Sequence, residues 1–301
     1  MYFSHSYRFW IVFSVLCFLP LRAQDMEHVQ IQAQQVNGNV YMLTGAGGNI
    51  GVCIGDDGIF LIDDQFAPLT EKIKTAVAKL SNKPIRFVVN THWHPDHTGG
   101  NENLGKMGAI LVAQQNVYAR LSTEQFLKLF NSVIPPAPKE ALPVITFMTE
   151  ILFHLNEEEI YIEHLENAHT DGDAVIHFRK NKVIHMGDLY FNGMYPFIDL
   201  SSGGSIDGVI RAGERIVATL DSETKIIPGH GPISEKAQLE EYVKMLKTIR
   251  ERIFQQIQEK KTLAEILGSK PTQDLDEIWG KGFMKPEKFI EIVYNDLHEK
   301  K

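Results

Sequence analysis

Along most of the chain, short apolar runs alternate with polar turns and amphipathic stretches. Val40–Leu43, Ile50–Ile54 and Ile59–Ile62 are apolar runs bounded by Gly, Asn and the Asp56-Asp57-Gly58 turn. They predict three strands of an antiparallel meander. Residues 69–80 put Ile73, Val77 and Leu80 on one helical face. Ile85–Val89 reads as a buried strand, Ile110–Ala113 as the next, and residues 115–130 as a helix. The Pro-rich stretch 135–143 is a loop. Hairpin-like pairs follow around Asn156-Glu157 and Asn181-Lys182. Residues 206–220 predict a helix and Ile226-Ile227 a short strand. After Ser234, Leu239, Val243, Leu246, Ile249, Ile253 and Ile257 mark a long amphipathic helix. Pro271 bounds that region, and residues 286–298 read as a last helix. Mixed sheets covered by helices, in a single domain spanning 25–301 with a C-terminal helical extension, are the simplest arrangement.

The N-terminus has a different character. Arg8 precedes an 11-residue apolar run, Phe9–Leu19, interrupted only by Ser14 and closed by Pro20. That run is short for a bilayer span and suits the core of a secretory signal, with Ala23 as a small residue for cleavage. Residues 1–24 are therefore expected to be removed, leaving no stable membrane anchor. The chain has 30 Lys+Arg against 38 Asp+Glu, a formal charge of −8. Cleavage removes Arg8 and Arg22, so the mature charge is 28 − 38 = −10. An acidic protein is a poor partner for nucleic acid, and a small-molecule substrate is expected instead. Of the two cysteines only Cys53 would survive cleavage. An exported protein without an internal disulfide fits a bacterial periplasm, and Cys53, inside an apolar run, is expected to be a buried strand residue.

The chemistry is concentrated in histidine and aspartate. Thr91-His92-Trp93-His94-Pro95-Asp96-His97 follows a predicted strand. A pattern H-x-H-x-D-H arises by composition in roughly one in a thousand such chains. Imidazoles and carboxylates suit a borderline cation such as zinc. Three further candidates stand at strand ends among glycines: His169 in Ala168-His169-Thr170-Asp171-Gly172-Asp173, Asp188 in His185-Met186-Gly187-Asp188, and His230 in Pro228-Gly229-His230-Gly231. His154, His164, His177 and His185 fall in or near strands and are expected to be structural or surface residues. His28 and His298 are expected to be solvated. Tyr190, Phe191, Tyr195 and Phe197 follow Asp188 and suit either the core or a pocket wall equally.

These motifs, in this order over residues 36–235, resemble the metallo-β-lactamase superfamily of hydrolases. The resemblance implies a four-layer αβ/βα sandwich of two mixed sheets with external helices and a site at one edge. It implies one zinc on His92, His94 and His169, a second on Asp96, His97 and His230, and Asp188 bridging them. It also implies a buried supporting role for Asp63, which otherwise reads as a strand-end turn. Iron or manganese also suits imidazole-rich sites. Two dications sharing a water bring its pKa toward neutrality, so attack on a lactam, lactone or ester carbonyl is expected, with His94, Asp96 and Asp188 as the catalytic set. Asp96 is expected to orient the nucleophile and shuttle a proton. No G-x-S-x-G is present, which disfavours a serine hydrolase. Asp188 stands where the commonest zinc β-lactamases carry Cys, and Phe191 where they carry a Lys that holds the substrate carboxylate. Any β-lactamase activity is therefore expected to be weak. A phosphodiesterase, and a metal-binding protein of this fold without turnover, are the alternatives.

Overall fold

The computed structural model describes residues 26–128 and 131–299. The expected export signal, residues 1–24, lies outside the described residues. In chain order the strands are β1 (Gln32–Asn37), β2 (Val40–Thr44), β3 (Ile50–Cys53), β4 (Ile59–Ile62), β5 (Ile85–Asn90), β6 (Ile110–Gln114), β7 (Gln125–Leu127), β8 (Ser132–Ile134), β9 (Ile145–Phe147), β10 (Glu150–Leu155), β11 (Glu158–His164), β12 (Ala174–Phe178), β13 (Val183–His185), β14 (Lys225–Ile227) and β15 (Ser234–Glu235). The helices are α1 (Thr70–Ala78), α2 (Pro95–Thr98), α3 (Asn101–Lys106), α4 (Gln115–Leu121), α5 (Ile206–Thr219), α6 (Lys236–Gln258), α7 (Leu263–Ser269), α8 (Asp276–Trp279) and α9 (Pro286–Glu299). One sheet runs β1-β2-β3-β4-β5-β6-β9 and the other β10-β11-β12-β13-β14-β15, with β7-β8 as a separate hairpin. Both main sheets are mixed: β4-β5-β6-β9 and β13-β14 pair parallel, the other neighbours antiparallel.

The continuous apolar runs are explained by burial on both faces. Side chains alternate across a strand, so Phe60 and Ile62 of β4 meet Ile160, Ile162, Ile176 and Phe178 of the other sheet, in the core between the two. Ile59 and Leu61, pointing the opposite way, pack under Leu69, Ile73, Val77 and Leu104. The second sheet does the same: Ala174 and Ile176 face inward, while Val175, Ile184 and Ile226 face a cluster formed with α5, α6 and α9. The result is helix, sheet, sheet, helix: the four-layer αβ/βα sandwich that the resemblance implies. Cys53 is buried in the central core, and burial pushes its thiol up to about 12. No helix among the described residues is long and apolar enough to cross a membrane.

Three elements differ from the sequence pattern. The helix expected over 115–130 stops at Leu121, where the hydroxyls of Ser122 and Thr123 turn back to the Ala119 carbonyl. Hydroxyls that satisfy the last turn locally compete with helix continuation, and β7 and β8 follow as a hairpin. β1 carried no apolar signal because it is an exposed edge strand. The region before Pro271 contains α7, started by a capping box in which Thr262 and Glu265 bond each other's backbone amides. His28, His154 and His298 are exposed, as expected.

Candidate metal centre

All seven candidate side chains meet where strands end. His92, His94, Asp96 and His97 lie on the turn and short helix after β5, His169 between β11 and β12, Asp188 just after β13, and His230 just after β14. They form two groups whose donor atoms lie within 4.8 Å of one another, His92-His94-His169-Asp188 and Asp96-His97-His230. In the first, the His94 Nδ1 lies 3.1 Å from His92 Nε2 and 2.9 Å from His169 Nε2. Asp188 Oδ2 lies 3.8 and 3.6 Å from His92 Nε2 and His169 Nε2. In the second, His97 Nε2 lies 3.6 Å from Asp96 Oδ2, and His230 Nε2 lies 3.3 Å from the same oxygen. The other oxygen of Asp188, Oδ1, is 3.1 Å from His97 Nε2 and 3.4 Å from His230 Nε2. One carboxylate therefore presents an oxygen to each group.

Hydrogen bonds behind the rings fix which nitrogen faces inward. His97 Nδ1 meets Asp63 Oδ2 at 2.7 Å, His94 Nε2 meets Asp199 Oδ2 at 3.1 Å, and His169 Nδ1 meets the Phe197 carbonyl at 2.8 Å. The Thr91 hydroxyl donates to Asp63 and lies 3.0 Å from His92 Nδ1, which must then donate to it. Carbonyl and carboxylate oxygens only accept, so each of these ring nitrogens carries the hydrogen. In neutral rings the lone pairs of His92, His94, His169 and His97 all point into the centre. Lone pairs facing each other at about 3 Å repel unless a positive charge lies between them. His97 Nε2 and Asp188 Oδ1 are buried without a hydrogen-bond partner. Ligands 2.0–2.1 Å from a tetrahedral zinc lie about 3.3 Å apart, close to the separations here. The residues fit a pair of metal ions.

The electrostatics agree. Burial opposes the Asp188 charge, but His97, His230 and His92 outweigh it and hold the carboxyl well below the usual range. Burial also opposes a charge on His230, yet Asp188 and Asp96 raise its ring to about 9. His92 and His169 go the other way, the latter to about 4, chiefly because burial disfavours their charged forms. His92 and His169 are thus disfavoured as cations, while Asp188, which faces both groups, and Asp96 call for positive charge.

The supporting backbone is built for close approach. Asp63 sits in the left-handed region at φ 63° and accepts the Thr91 amide at 2.8 Å as well as the Thr91 hydroxyl and His97. It thereby steadies a ligand of each group, the supporting role anticipated for it. A Cβ on Gly229 would lie 2.1 Å from Asp188 Oδ1, so only glycine lets that turn pass the carboxylate. Asp173, the last residue of the His169 motif, accepts the His169 and Thr170 amides and stays buried, with burial raising it to about 8. His185 is buried too, bonding the Asn49 carbonyl at 3.1 Å rather than joining the centre. His177 pairs with Glu163 at 3.0 Å, and His164 meets the Asp173 carbonyl at 2.7 Å. Tyr190, Phe191, Tyr195 and Phe197 all lie in the core cluster under the second sheet, and two of them also reach the centre: Phe191 stacks on His230 and Phe197 on His94. Clefts of about 420 and 540 Å³ beside Glu163 and Arg215 lie away from the centre and carry none of these seven groups.

The family model described as the metallo-beta-lactamase superfamily matches residues 36–232. The chain belongs to the metallo-beta-lactamase superfamily. Members of this superfamily are generally metal-dependent hydrolases. A metallo-beta-lactamase from Pontibacter korlensis superposes with a TM-score of 0.60 at 20% identity, over 72% of this chain and 99% of that one. A stereoselective inverting sec-alkylsulfatase from Pseudomonas sp. superposes with a TM-score of 0.65 at 18% identity, over 91% of this chain and 51% of that one. A hydroxyacylglutathione hydrolase of Erythrobacter litoralis is 37% identical over 73 residues, which are 22% of this chain and 29% of that protein. Another hydroxyacylglutathione hydrolase, from a Polaromonas species, is 24% identical over 164 residues, 54% of this chain and 55% of its own length. The chain thus spans about half or less of the length of these two hydrolases.

Asp199 was missed in the sequence, although Asp199-Leu200-Ser201-Ser202-Gly203 carries a turn signal. Its carboxylate caps the Ser201 amide, accepts both serine hydroxyls and holds His94. Burial opposes its charge, but these donors, His94 foremost, keep it ionised. Replacing Asp199 with Asn removes that charge while keeping the shape. The expected outcome is a 10–100-fold loss of metal affinity or activity, the usual cost of losing a ligand's outer partner. Titration against a competing chelator measures it, and unchanged affinity and activity would remove Asp199 from the site.

Proposed function

We propose that this protein is an exported dinuclear zinc hydrolase that cleaves a lactam, lactone or ester carbonyl. His92, His94, His169 and Asp188 hold one ion, and Asp96, His97, His230 and Asp188 the other. The observation that carries this reading is the set of seven inward-facing groups divided into two cages around one carboxylate. When bound, the two cations supply a water-derived nucleophile at neutral pH and polarise the scissile group. The protein's own contribution is orientation. Asp96 and His230 are the most open of the groups, at 27% and 19% side-chain exposure, so substrate approaches on that side. Asp96 there orients the nucleophile and accepts or returns its proton. His94, locked by Asp199, and Asp188, facing both cages, fix the geometry. Both named curated relatives are called hydroxyacylglutathione hydrolases, a name that also denotes cleavage at an acyl carbon. With export through a signal at 1–24, the substrate would be periplasmic or extracellular.

Metal analysis and a substrate panel test this together. About two zinc ions per chain are expected, with turnover of an ester, lactone or cephalosporin lost to chelator and restored by zinc. Metal-replete protein inactive on the whole carbonyl panel would mark a binding protein. Bis(p-nitrophenyl) phosphate turned over faster than every carbonyl substrate would mark a phosphodiesterase. Mass spectrometry of the periplasmic fraction should find a chain beginning near residue 25.

A further inference from the structure

The segment between α8 and α9 holds an aromatic ring in solvent beside the metal centre. Phe283 is 52% exposed, yet its neighbours are fixed. Met284 and Trp279 are buried in the core under the second sheet. The Trp279 carbonyl accepts the Tyr195 amide at 2.8 Å, and Tyr195 Oη donates to Asp276 at 2.8 Å. Gly282 packs so closely on Met194 that a Cβ there would lie 2.7 Å from the Met194 Cβ. The ring held out by these anchors lies 6.1 Å from the His230 ring and 6.0 Å from Phe191. Phe191, fully buried, is stacked on His230 at 5.0 Å and 11°. The His230 side of the centre is thus bordered by the exposed Phe283 ring, with the buried Phe191 ring behind it; Phe283 offers apolar area and neither a hydrogen-bond donor nor a cation.

An exposed apolar side chain is ordinary by itself; what sets Phe283 apart is its place, in ring contact with both Phe191 and His230 at the metal centre. We propose that Phe283, backed by Phe191, is a specificity-determining residue that packs against an apolar group carried by the substrate next to the bond being cleaved. The substrate class is then an acyl compound with a hydrophobic acyl portion, rather than one bearing a carboxylate at that position. This rests on the hydrolase reading above.

The test uses the full mature chain loaded with zinc. Phenylacetyl and acetyl esters of one phenol share their leaving group and differ only in the apolar acyl part. Binding of phenylacetate and acetate, followed by calorimetry, needs no turnover. Wild type is expected to favour the phenyl member in both assays. Phe283→Ala should cut that preference about tenfold, the worth of some tens of Å² of apolar contact, through a loss that falls mainly on the phenylacetyl ester. Phe283→Leu should fall between. Met107→Ala removes a comparably exposed side chain near Pro84 and Ile85, at the opposite end of β5 from the centre, and should leave the preference intact. Phe283→Ala that leaves the ratio unchanged, or lowers both substrates equally, overturns the proposal while the hydrolase reading stands. Phenylacetate binding that depends on Phe283 in a protein that hydrolyses neither ester nor any other member of the carbonyl panel keeps the wall and discards the carbonyl hydrolase. Absence of both turnover and binding discards both.

Discussion

Replacing His94 with alanine is expected to empty one cage and abolish turnover together. His94 is the hub of the first group, its Nδ1 within 3.1 Å of both other imidazoles. Its removal leaves two nitrogens and one carboxylate oxygen, and it strips Asp199 of the donor that most helps keep that buried carboxylate charged. The second group makes no contact through His94: Asp96, His97, His230 and Asp188 face one another. Zinc content after dialysis should therefore fall from about two toward one per chain. The loss in kcat/KM should exceed the 10–100-fold that an outer partner is worth. Zinc protection against heat should shrink as well, because a ligand that binds only the folded state stabilises it in proportion to its occupancy. A His94→Ala protein with two tightly held ions and full turnover would show that the metals lie elsewhere.

The sequence revealed the centre more fully than its surroundings, for a physical reason. Ligands to one cation must converge, and strand ends bring separated stretches together while glycines let the backbone pass. His169, Asp188 and His230 were legible because each stands at such an end. The central strands were legible because burial on both faces leaves unbroken apolar runs. β1 had no such run, since an edge strand in water needs none. The β7-β8 hairpin was hidden because Ser122 and Thr123 end α4 by local hydroxyl bonds that periodicity does not register. Asp199 was hidden because its partner, His94, lies 105 residues earlier in the chain. That two of the four core aromatics also reach His94 and His230 is visible only in the fold.

Asp188→Ala should be the more damaging change to metal binding, and the comparison with His94→Ala distinguishes a bridged pair of ions from two independent sites. Asp188 Oδ2 faces His92 and His169 while Oδ1 faces His97 and His230, all within 3.8 Å. Truncation removes a donor and a negative charge from both cages at once. What remains is His92, His94 and His169 on one side, and Asp96, His97 and His230 on the other. Two adjacent dications repel, and an anion shared between them is what offsets that repulsion at short range. Without it, the second ion should bind far more weakly in the presence of the first. The expected result is fewer zinc ions retained than by His94→Ala, together with activity reduced at least as far. Asp188→Asn, which keeps the shape and one acceptor oxygen, should recover occupancy of one cage but not both. If Asp188→Ala instead retained two ions with wild-type affinity, the carboxylate would not be shared, and the two groups would have to be treated as separate metal sites.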